Sequence, residues 1–150
     1  MPVDGVVDLQ PLFFNLTLDI ATELLLRSSV HSLRAGVDQA EENKLFAESF
    51  SVALEGLAKR FRLAPLHFLY SPPSFRRACR NVHRFVENYI EEQGLMGRRS
   101  SDQEATHNDT SWFIKQVASE SETVSELRGQ LLSVLLAGRD TTACCLSWTL

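Results

Sequence analysis

The chain has 150 residues, of which 44% are hydrophobic and 23% are charged, a balance typical of one globular domain rather than a disordered segment. Its net charge of −4 and pI near 5.5 give no support to nucleic-acid binding by bulk electrostatics. Its three cysteines, an odd number, do not form a disulfide framework and favour a reducing, cytosolic setting.

The first residues show neither the basic start nor the apolar stretch of a signal peptide. No segment has the roughly twenty apolar residues of a membrane-spanning helix. The sequence therefore predicts neither a signal peptide nor a transmembrane anchor within this chain.

A first helix is predicted over residues 8–27, with Asp8 as its cap and Pro11 in its first turn, where proline is tolerated. Apolar residues at steps of three and four predict its buried face: Leu9, Phe13, Leu16, Ile20 and Leu24. We assign this helix to packing, with Asp19 and Glu23 solvated or paired.

Residues 28–43 are polar and are predicted to form a loop. A second helix is predicted over residues 44–60, and the acidic residues before it and basic residues at its end suit the helix dipole. Its apolar side is predicted to contain Phe46, Phe50, Ala53, Leu54, Leu57 and Phe61. Residues 63–73 then form an apolar connection that contains three prolines.

A third helix is predicted over residues 74–92, with two well-separated faces. The apolar face holds Phe75, Ala78, Cys79, Val82, Phe85, Val86 and Tyr89, and the other holds Arg76, Arg77, Arg80 and Arg84. Such an arginine row could dock an anionic membrane or a reductase, although it is more often a solvated face. No histidine has a second ligand at metal-binding spacing, so no metal site is predicted. Residues 93–110 are predicted to be a surface linker.

The last helix is predicted over residues 125–150, with Thr123 and Glu126 as a capping box. It is apolar on nearly all sides, a pattern typical of a helix in the centre of a protein. Gly138 costs such a helix about 1 kcal/mol relative to alanine, and burying the charge of Asp140 unpaired costs more. A glycine and a charged residue both go against the usual residue preferences of a buried helix. Such exceptions at one place in the chain indicate a functional site.

The segment A-G-R-D-T-T-A at residues 137–143 resembles the A-G-x-[D/E]-T-[T/S] signature of the cytochrome P-450 superfamily, the haem-thiolate monooxygenases. In that family the signature lies where the long central helix crosses the haem face. The surrounding L-R-x-Q-L-L-x-V-L-L-A-G-R-D-T-T-A-C-x-L-S-W, and L-T-L-D-x-A-T-E at residues 16–23, are similar to the fungal branch that hydroxylates alkanes and fatty acids. The resemblance implies an all-α chain, the helical half of a partial cytochrome P-450 domain.

One stripe of the last helix carries the residues implied to act at the haem. It contains Ala137, Thr141, Cys144 and Trp148, with Ser133 at its edge. The small Ala137 leaves room for a flat cofactor and a diatomic ligand, and Gly138 lets other groups approach the backbone. The resemblance implies that Thr141 also contacts the haem-bound ligand and is catalytic together with Asp140, which relays protons from solvent. The alternative is that Thr141 and Thr142 bond back to carbonyls one turn earlier, while Arg139 and Asp140 form a solvated pair at a helix bend.

The resemblance also implies a substrate-binding set. Its members are Ser133, Leu136 and Ala137 on the last helix, and Phe68 and Leu69 in the proline-rich connection. In the family this connection joins two helices that roof the substrate pocket, and in anchored members it touches the bilayer. Leu66 and Tyr70 are therefore further candidates for an access route. The alternative, a hydrophobic loop folded onto the core, remains open.

Two family motifs, the F-x-x-G-x-R-x-C-x-G haem-cysteine loop and the E-x-x-R pair, do not occur here. The chain is therefore expected to be an internal piece that contains no axial cysteine ligand and is inactive by itself. In the complete enzyme, electrons would come from NADPH through a reductase, and the substrates would be molecular oxygen and an aliphatic molecule. The resemblance places that enzyme at the cytosolic face of the endoplasmic reticulum membrane. The alternative is a non-enzymatic helical interaction module in which the motif is accidental.

Overall fold

The structure, a computed structural model, describes residues 7–34, 41–95 and 111–149. Within these ranges the chain forms α-helices and short 3-10 helices and no β-strand, which confirms the predicted all-α class. The α-helices are α1 (Gln10–Leu26), α2 (Glu41–Arg62), α3 (Pro73–Glu92), α4 (Ser111–Glu120) and α5 (Val124–Thr149). Two 3-10 helices cover Ser32–Arg34 and Ala64–Leu69.

The described helices pack mainly as two pairs: α1 lies against α5, and α2 lies against α3. Contacts between α3 and α5 join the pairs. The core between them is built from aliphatic and aromatic side chains: Leu18, Leu25, Leu26, Val30, Phe46, Phe50, Val82, Val86, Ile90, Ala118, Leu127, Leu131 and Leu135. Helix α5 therefore rests on the rest of the described chain along one side.

The predicted buried face of α1 was wrong. Leu9, Ile20 and Leu24 are exposed, and Phe13 and Leu16 are half-buried. The buried residues are instead Thr17, Leu18, Thr22, Leu25 and Leu26. Threonine can face the core here because each hydroxyl donates to carbonyls one turn earlier in the helix. Because α1 is apolar around much of its circumference, residue spacing alone did not select the face.

The polar residues of α1 behave partly as predicted. Asp8 accepts a hydrogen bond from the backbone N–H of Gln10 at 3.0 Å, but the N-cap position of α1 is Leu9 and not Asp8. Asp19 is paired: its carboxylate accepts from the N–H and hydroxyl of Ser32 and from the N–H of Leu33. These bonds hold the 3-10 helix that follows against α1.

Helix α2 begins three residues before its predicted start, and the predicted loop at residues 28–43 also contains the 3-10 helix Ser32–Arg34. The early start places Glu41 and Glu42 in the first turn, where negative charge is favourable near the helix dipole. Of the predicted apolar side, Phe46, Phe50 and Ala53 are buried and Leu54 is half-buried, whereas Leu57 and Phe61 are exposed.

Helices α2 and α3 are in close contact at Gly56. A Cβ atom at this position would lie 2.1 Å from Cδ2 of Phe75, so no larger residue fits without moving the buried ring. Ten residues away along each helix, or nearly three turns, Phe46 stacks on Phe85 with 4.2 Å between ring centroids. These contacts fix how the two helices cross.

The predicted faces of α3 are confirmed. Phe75, Ala78, Val82, Val86 and Ile90 are buried, with Cys79, Phe85 and Tyr89 half-buried beside them. Arg76, Arg77, Arg80 and Arg84 are all exposed. No helix in the described ranges is both long and apolar enough to cross a membrane. Most of the predicted linker, residues 96–110, lies outside the residues that the structure describes.

Candidate functional site

The start of α5 is held by the predicted capping residues, although not by the complete capping box. The hydroxyl of Thr123 accepts a hydrogen bond from the N–H of Glu126 at 3.2 Å. The carboxylate of Glu126 reaches back to the N–H of Glu122 at 2.9 Å rather than to the N–H of Thr123. Both bonds satisfy donors at the helix entrance, so α5 has a well-defined beginning.

Helix α5 presents two opposite faces. A buried ridge contains Leu127, Leu131, Leu135, Arg139 and Ala143 at steps of four residues. The predicted haem-side stripe is exposed at every position: Ser133, Ala137, Thr141, Cys144 and Trp148. Within the described residues α5 is therefore buried along one side, while Trp148 on the stripe is 91% exposed. The described helices cover only the ridge.

Gly138 lies beside the stripe and is not required by the packing of α1 on α5. A Cβ atom added to Gly138 would meet the Cβ of Ala21 at 3.7 Å, which is an ordinary contact. Glycine nevertheless costs a helix about 1 kcal/mol relative to alanine. The exposed Ala137 on the stripe, about 100° around the helix from Gly138, carries only a methyl group and leaves a low apolar surface there. That surface fits one face of a flat apolar cofactor.

Thr141 is exposed, and its hydroxyl donates a hydrogen bond to the carbonyl of Ala137 one turn earlier. This is the bond that the alternative interpretation of Thr141 expects. A hydroxyl that donates in this way still has lone pairs that can accept from a second donor. Thr141 is therefore fixed on the stripe with its oxygen accessible.

Arg139 is the main surprise of the motif: the pair with Asp140 that the alternative interpretation expects is present, but Arg139 itself is buried rather than solvated. Arg139 is only 7% exposed and forms an ion pair with Asp140, with 3.0 Å between Nη1 and Oδ1. Its Nη2 donates to the hydroxyl of Ser51 on α2 at 3.1 Å. The guanidinium carbon lies 4.9 Å from the ring centroid of Phe14 and 5.6 Å from that of Phe50. Burial lowers the pKa of Arg139, and the carboxylate of Asp140 opposes that shift.

A cavity of about 200 Å³ lies between α2, α3 and α5. Its walls are mostly apolar and consist of Phe50, Ala53, Leu54, Leu57, Cys79, Val82, His83, Leu132, Ser133 and Leu136. Two residues of the predicted substrate-binding set, Ser133 and Leu136, therefore meet here. Because Ser133 is also the edge of the stripe, the cavity lies one helical turn from Ala137.

The two ionisable groups of the cavity wall are held in neutral forms. Burial lowers the pKa of His83, and the nearby Arg128 adds to this effect while Glu87 opposes it. Burial raises the pKa of the Cys79 thiol, with Arg60 opposing the shift. At neutral pH the wall therefore carries an uncharged imidazole and an uncharged thiol, which suits an apolar occupant.

The other two members of the predicted substrate-binding set are elsewhere. Phe68 and Leu69 lie in the 3-10 helix Ala64–Leu69, which has no buried residue. Phe68 is 65% exposed, so the alternative of a loop folded onto the core is wrong for the described structure. The structure does not bring these two side chains to the cavity, although they follow α2, which forms one of its walls.

The described residues contain no group of three histidine, cysteine, aspartate or glutamate side chains that could hold a metal ion. Cys79, Cys144 and Cys145 are all free, and the last two are exposed on α5 itself. The apolar features that α5 offers to a ligand are the exposed stripe and the cavity beside it.

Comparisons with known proteins agree with this picture. The family model for cytochrome P-450 matches residues 3–150. A cytochrome P-450 of Arthroderma benhamiae is 39% identical over 150 residues, covering 100% of this chain and 30% of that protein. Cytochrome P-450 52-E3 of Starmerella bombicola is 39% identical over 152 residues, covering 96% of this chain and 28% of its own. This chain spans less than a third of the length of the curated relatives that it matches. No solved structure matches it.

Proposed function

The chain belongs to the cytochrome P-450 family, and from this premise we propose that it supplies the oxygen-activating helix and the pocket roof of a haem monooxygenase. The observation that supports the proposal best is the exposed stripe of α5, which places Ala137 and Thr141 opposite the buried ridge. A relative from a Fusarium species, 37% identical over 150 residues, carries the name cytochrome P-450 monooxygenase. The alternative of a helical interaction module with an accidental motif is not favoured, because the family match extends over nearly the whole chain.

We assign one face of the haem site to Ala137, Gly138 and Thr141. Haem, when bound, supplies oxygen binding and electron transfer. The small side chains at Ala137 and Gly138 leave the space that such a planar group needs, and no packing contact within the described residues explains the glycine. The axial cysteine ligand is assigned to none of the three cysteines of this chain, because none lies in an F-x-x-G-x-R-x-C-x-G loop: Cys79 is half-buried in α3 and the other two lie within α5.

Proton delivery is assigned to Asp140 and Thr141. The side chain of Asp140 is 39% exposed, so it can exchange protons with solvent. Thr141 is the next residue and lies on the stripe, where its hydroxyl can hold a water molecule or orient the proton that arrives. An acid at the solvent side and an alcohol at the reacting side form a relay that moves protons in a defined order.

We propose that the substrate is an alkane or a fatty acid. This rests on the resemblance of residues 127–148 to the fungal hydroxylase branch and on the uncharged, largely apolar wall of the cavity. Ser133 and Leu136 are assigned to contact the aliphatic substrate in the cavity, and Ala137, one turn after Ser133 on α5, is assigned to contact it as well. Exclusion of water from such a pocket strengthens the polar interactions at its reactive end.

The partners follow from the same proposal. Molecular oxygen is the second substrate, and NADPH provides electrons through a reductase. The exposed apolar residues Leu66, Phe68 and Leu69 are assigned to peripheral contact with the cytosolic face of the endoplasmic reticulum membrane. The exposed arginine row of α3 follows them in the chain and suits an anionic surface.

Isotope labelling of the product tests the proposed reaction. The full-length haem protein containing this segment is supplied with reductase, NADPH, a long-chain fatty acid and ¹⁸O₂. A monooxygenase inserts one atom of molecular oxygen, so we expect one ¹⁸O atom in each hydroxylated product, analysed by mass spectrometry. Incubation in labelled water with ordinary oxygen is the control. Product labelled only from water, or no product from a haem-loaded and reduced protein, would contradict the proposal.

Phe68→Ala tests the access route in the same protein. The loss of one aromatic contact is expected to weaken the binding of long-chain substrates by about 1–3 kcal/mol and that of short-chain substrates much less. The measurement is a spectral titration of substrate binding across a series of chain lengths. Phe61→Ala is the matched control, because Phe61 is 89% exposed at the end of α2 and has no assigned role. Equal weakening at all chain lengths, with a matching fall in thermal stability, would mean that Phe68 serves packing.

A further inference from the structure

The buried ridge of α5 contains one charged residue among aliphatic ones. Leu127, Leu131, Leu135 and Ala143 fill the other positions, and each is at most 1% exposed. Arg139 occupies the remaining position between the rings of Phe14 and Phe50. A leucine there would pack between the same rings without the cost of removing a charge from water. Packing alone therefore does not explain an arginine.

The hydrogen bonds of Arg139 do not explain it as a stabilising group either. Nη1 is bonded to Asp140 and Nη2 to Ser51, but Nε is buried without a hydrogen-bond partner in the described part of the chain. An unsatisfied buried donor reduces stability. An arginine at this position is explained if its guanidinium serves to hold a neighbouring side chain in place.

That neighbour is Asp140. Its carboxylate is bound by Nη1, while Nη2 of the same rigid guanidinium is anchored on Ser51 of α2. The two rings on either side restrict the remaining movement of the guanidinium. Without this anchor, a half-exposed aspartate on a helix would sample several rotamers.

We propose that Arg139 is a positioning residue that holds the carboxylate of Asp140 in one orientation, with α2 as its anchor through Ser51. The proposal rests on the proton-relay role of Asp140 proposed above. Its consequence is that residues which never touch the haem or the substrate set the efficiency of proton transfer, because a relay requires its groups at hydrogen-bond distance.

Ser51→Ala tests the anchor, and Ser49→Ala is its matched control. Both serines lie on α2 two residues apart, but the hydroxyl of Ser49 accepts from Asn81 instead of Arg139. In the full-length haem protein we expect Ser51→Ala to slow oxygen consumption about threefold or more, since it removes a hydrogen bond to a charged group. Ser49→Ala should keep the wild-type rate. Equal rates in the two variants would overturn the proposal.

A crystal structure of the Ser51→Ala protein provides a readout that is independent of turnover. We expect the contact between Nη1 of Arg139 and Oδ1 of Asp140, 3.0 Å in the present structure, to lengthen or to split into alternate conformers. The contact should be unchanged in Ser49→Ala. An unchanged Asp140 in both variants would contradict a positioning role.

Arg139→Met and Asp140→Asn, separately and together, distinguish this inference from the relay itself. If Arg139 acts through Asp140, the double variant should consume oxygen no more slowly than Asp140→Asn alone. If the loss of rate in the double variant equals the product of the losses in the two single variants, the inference is overturned. A wild-type rate in Asp140→Asn would contradict the proposed relay. A slow Asp140→Asn with wild-type rates in Arg139→Met and Ser51→Ala would contradict only the positioning role of Arg139. If Arg139→Met does not fold, the comparison of Ser51→Ala with Ser49→Ala decides.

Discussion

Asp140→Asn is expected to slow oxygen consumption by the full-length haem protein by about 10- to 100-fold, at or below the lower limit of the range of about 10²- to 10⁴-fold typical of general acid catalysis. The amide keeps the size of the side chain and can still accept from Arg139, but it cannot take up and release a proton at neutral pH. The rate is measured with an oxygen electrode at saturating substrate, NADPH and reductase.

Glu122→Gln is the control for the loss of one negative charge near α5, because Glu122 is exposed and only its backbone N–H has an assigned contact. Asp140→Asn also weakens an ion pair with a buried arginine, so its thermal stability is expected to fall. Rates are therefore compared well below the lowest melting temperature. A wild-type rate in Asp140→Asn would show that protons reach the site by another route.

The sequence predicted α3 well because its two faces differ sharply in chemistry. Four arginines lie on one side and aliphatic or aromatic residues on the other, so only one orientation buries the apolar face. Helix α1 has no such contrast: it has leucines around most of its circumference and threonines that bond to their own helix. The face that it buries is set by its contact with α5, which no local pattern records.

The stripe on α5 was predictable because it follows from helix geometry and a recognisable motif. Residues 137, 141, 144 and 148 share a face in any regular α-helix, whatever surrounds it. Which face the described helices cover was not predictable in the same way. The leucines at steps of four select the ridge, and the stripe lies opposite to it.

The burial of Arg139 was not predicted, because only the alternative interpretation gave the Arg139–Asp140 pair an environment, and that environment was solvent. The available signal was its position in the sequence: Arg139 follows Leu135 by four residues and so continues the spacing of the buried ridge. The groups that make burial possible are distant in sequence: Ser51 lies 88 positions earlier, and Phe14 and Phe50 are on two other helices. Such a pocket for a cation arises only from tertiary packing.

Thr141→Ala is expected to lower the yield of product per NADPH, whereas Asp140→Asn is expected to lower the rate of oxygen consumption. Oxygen consumption should continue, because the haem and its axial ligand carry out the electron chemistry. Without the hydroxyl, protons are misdirected, so reduced oxygen leaves as hydrogen peroxide and product per NADPH falls, by about tenfold. Stability should change by no more than about 0.5 kcal/mol, since Thr141 is exposed and its hydrogen bond is to its own helix.

The ratio of hydroxylated product and hydrogen peroxide to NADPH consumed, measured in Thr141→Ala, tests the role of α5 most directly. Thr142→Ala is the matched control, because Thr142 is also exposed but lies about 100° further around the helix. Thr141→Ser should restore most of the coupling by restoring the hydroxyl. We expect peroxide to dominate in Thr141→Ala and product to dominate in Thr142→Ala and Thr141→Ser. A Thr141→Ala protein that remains fully coupled would show that this stripe does not deliver protons to oxygen.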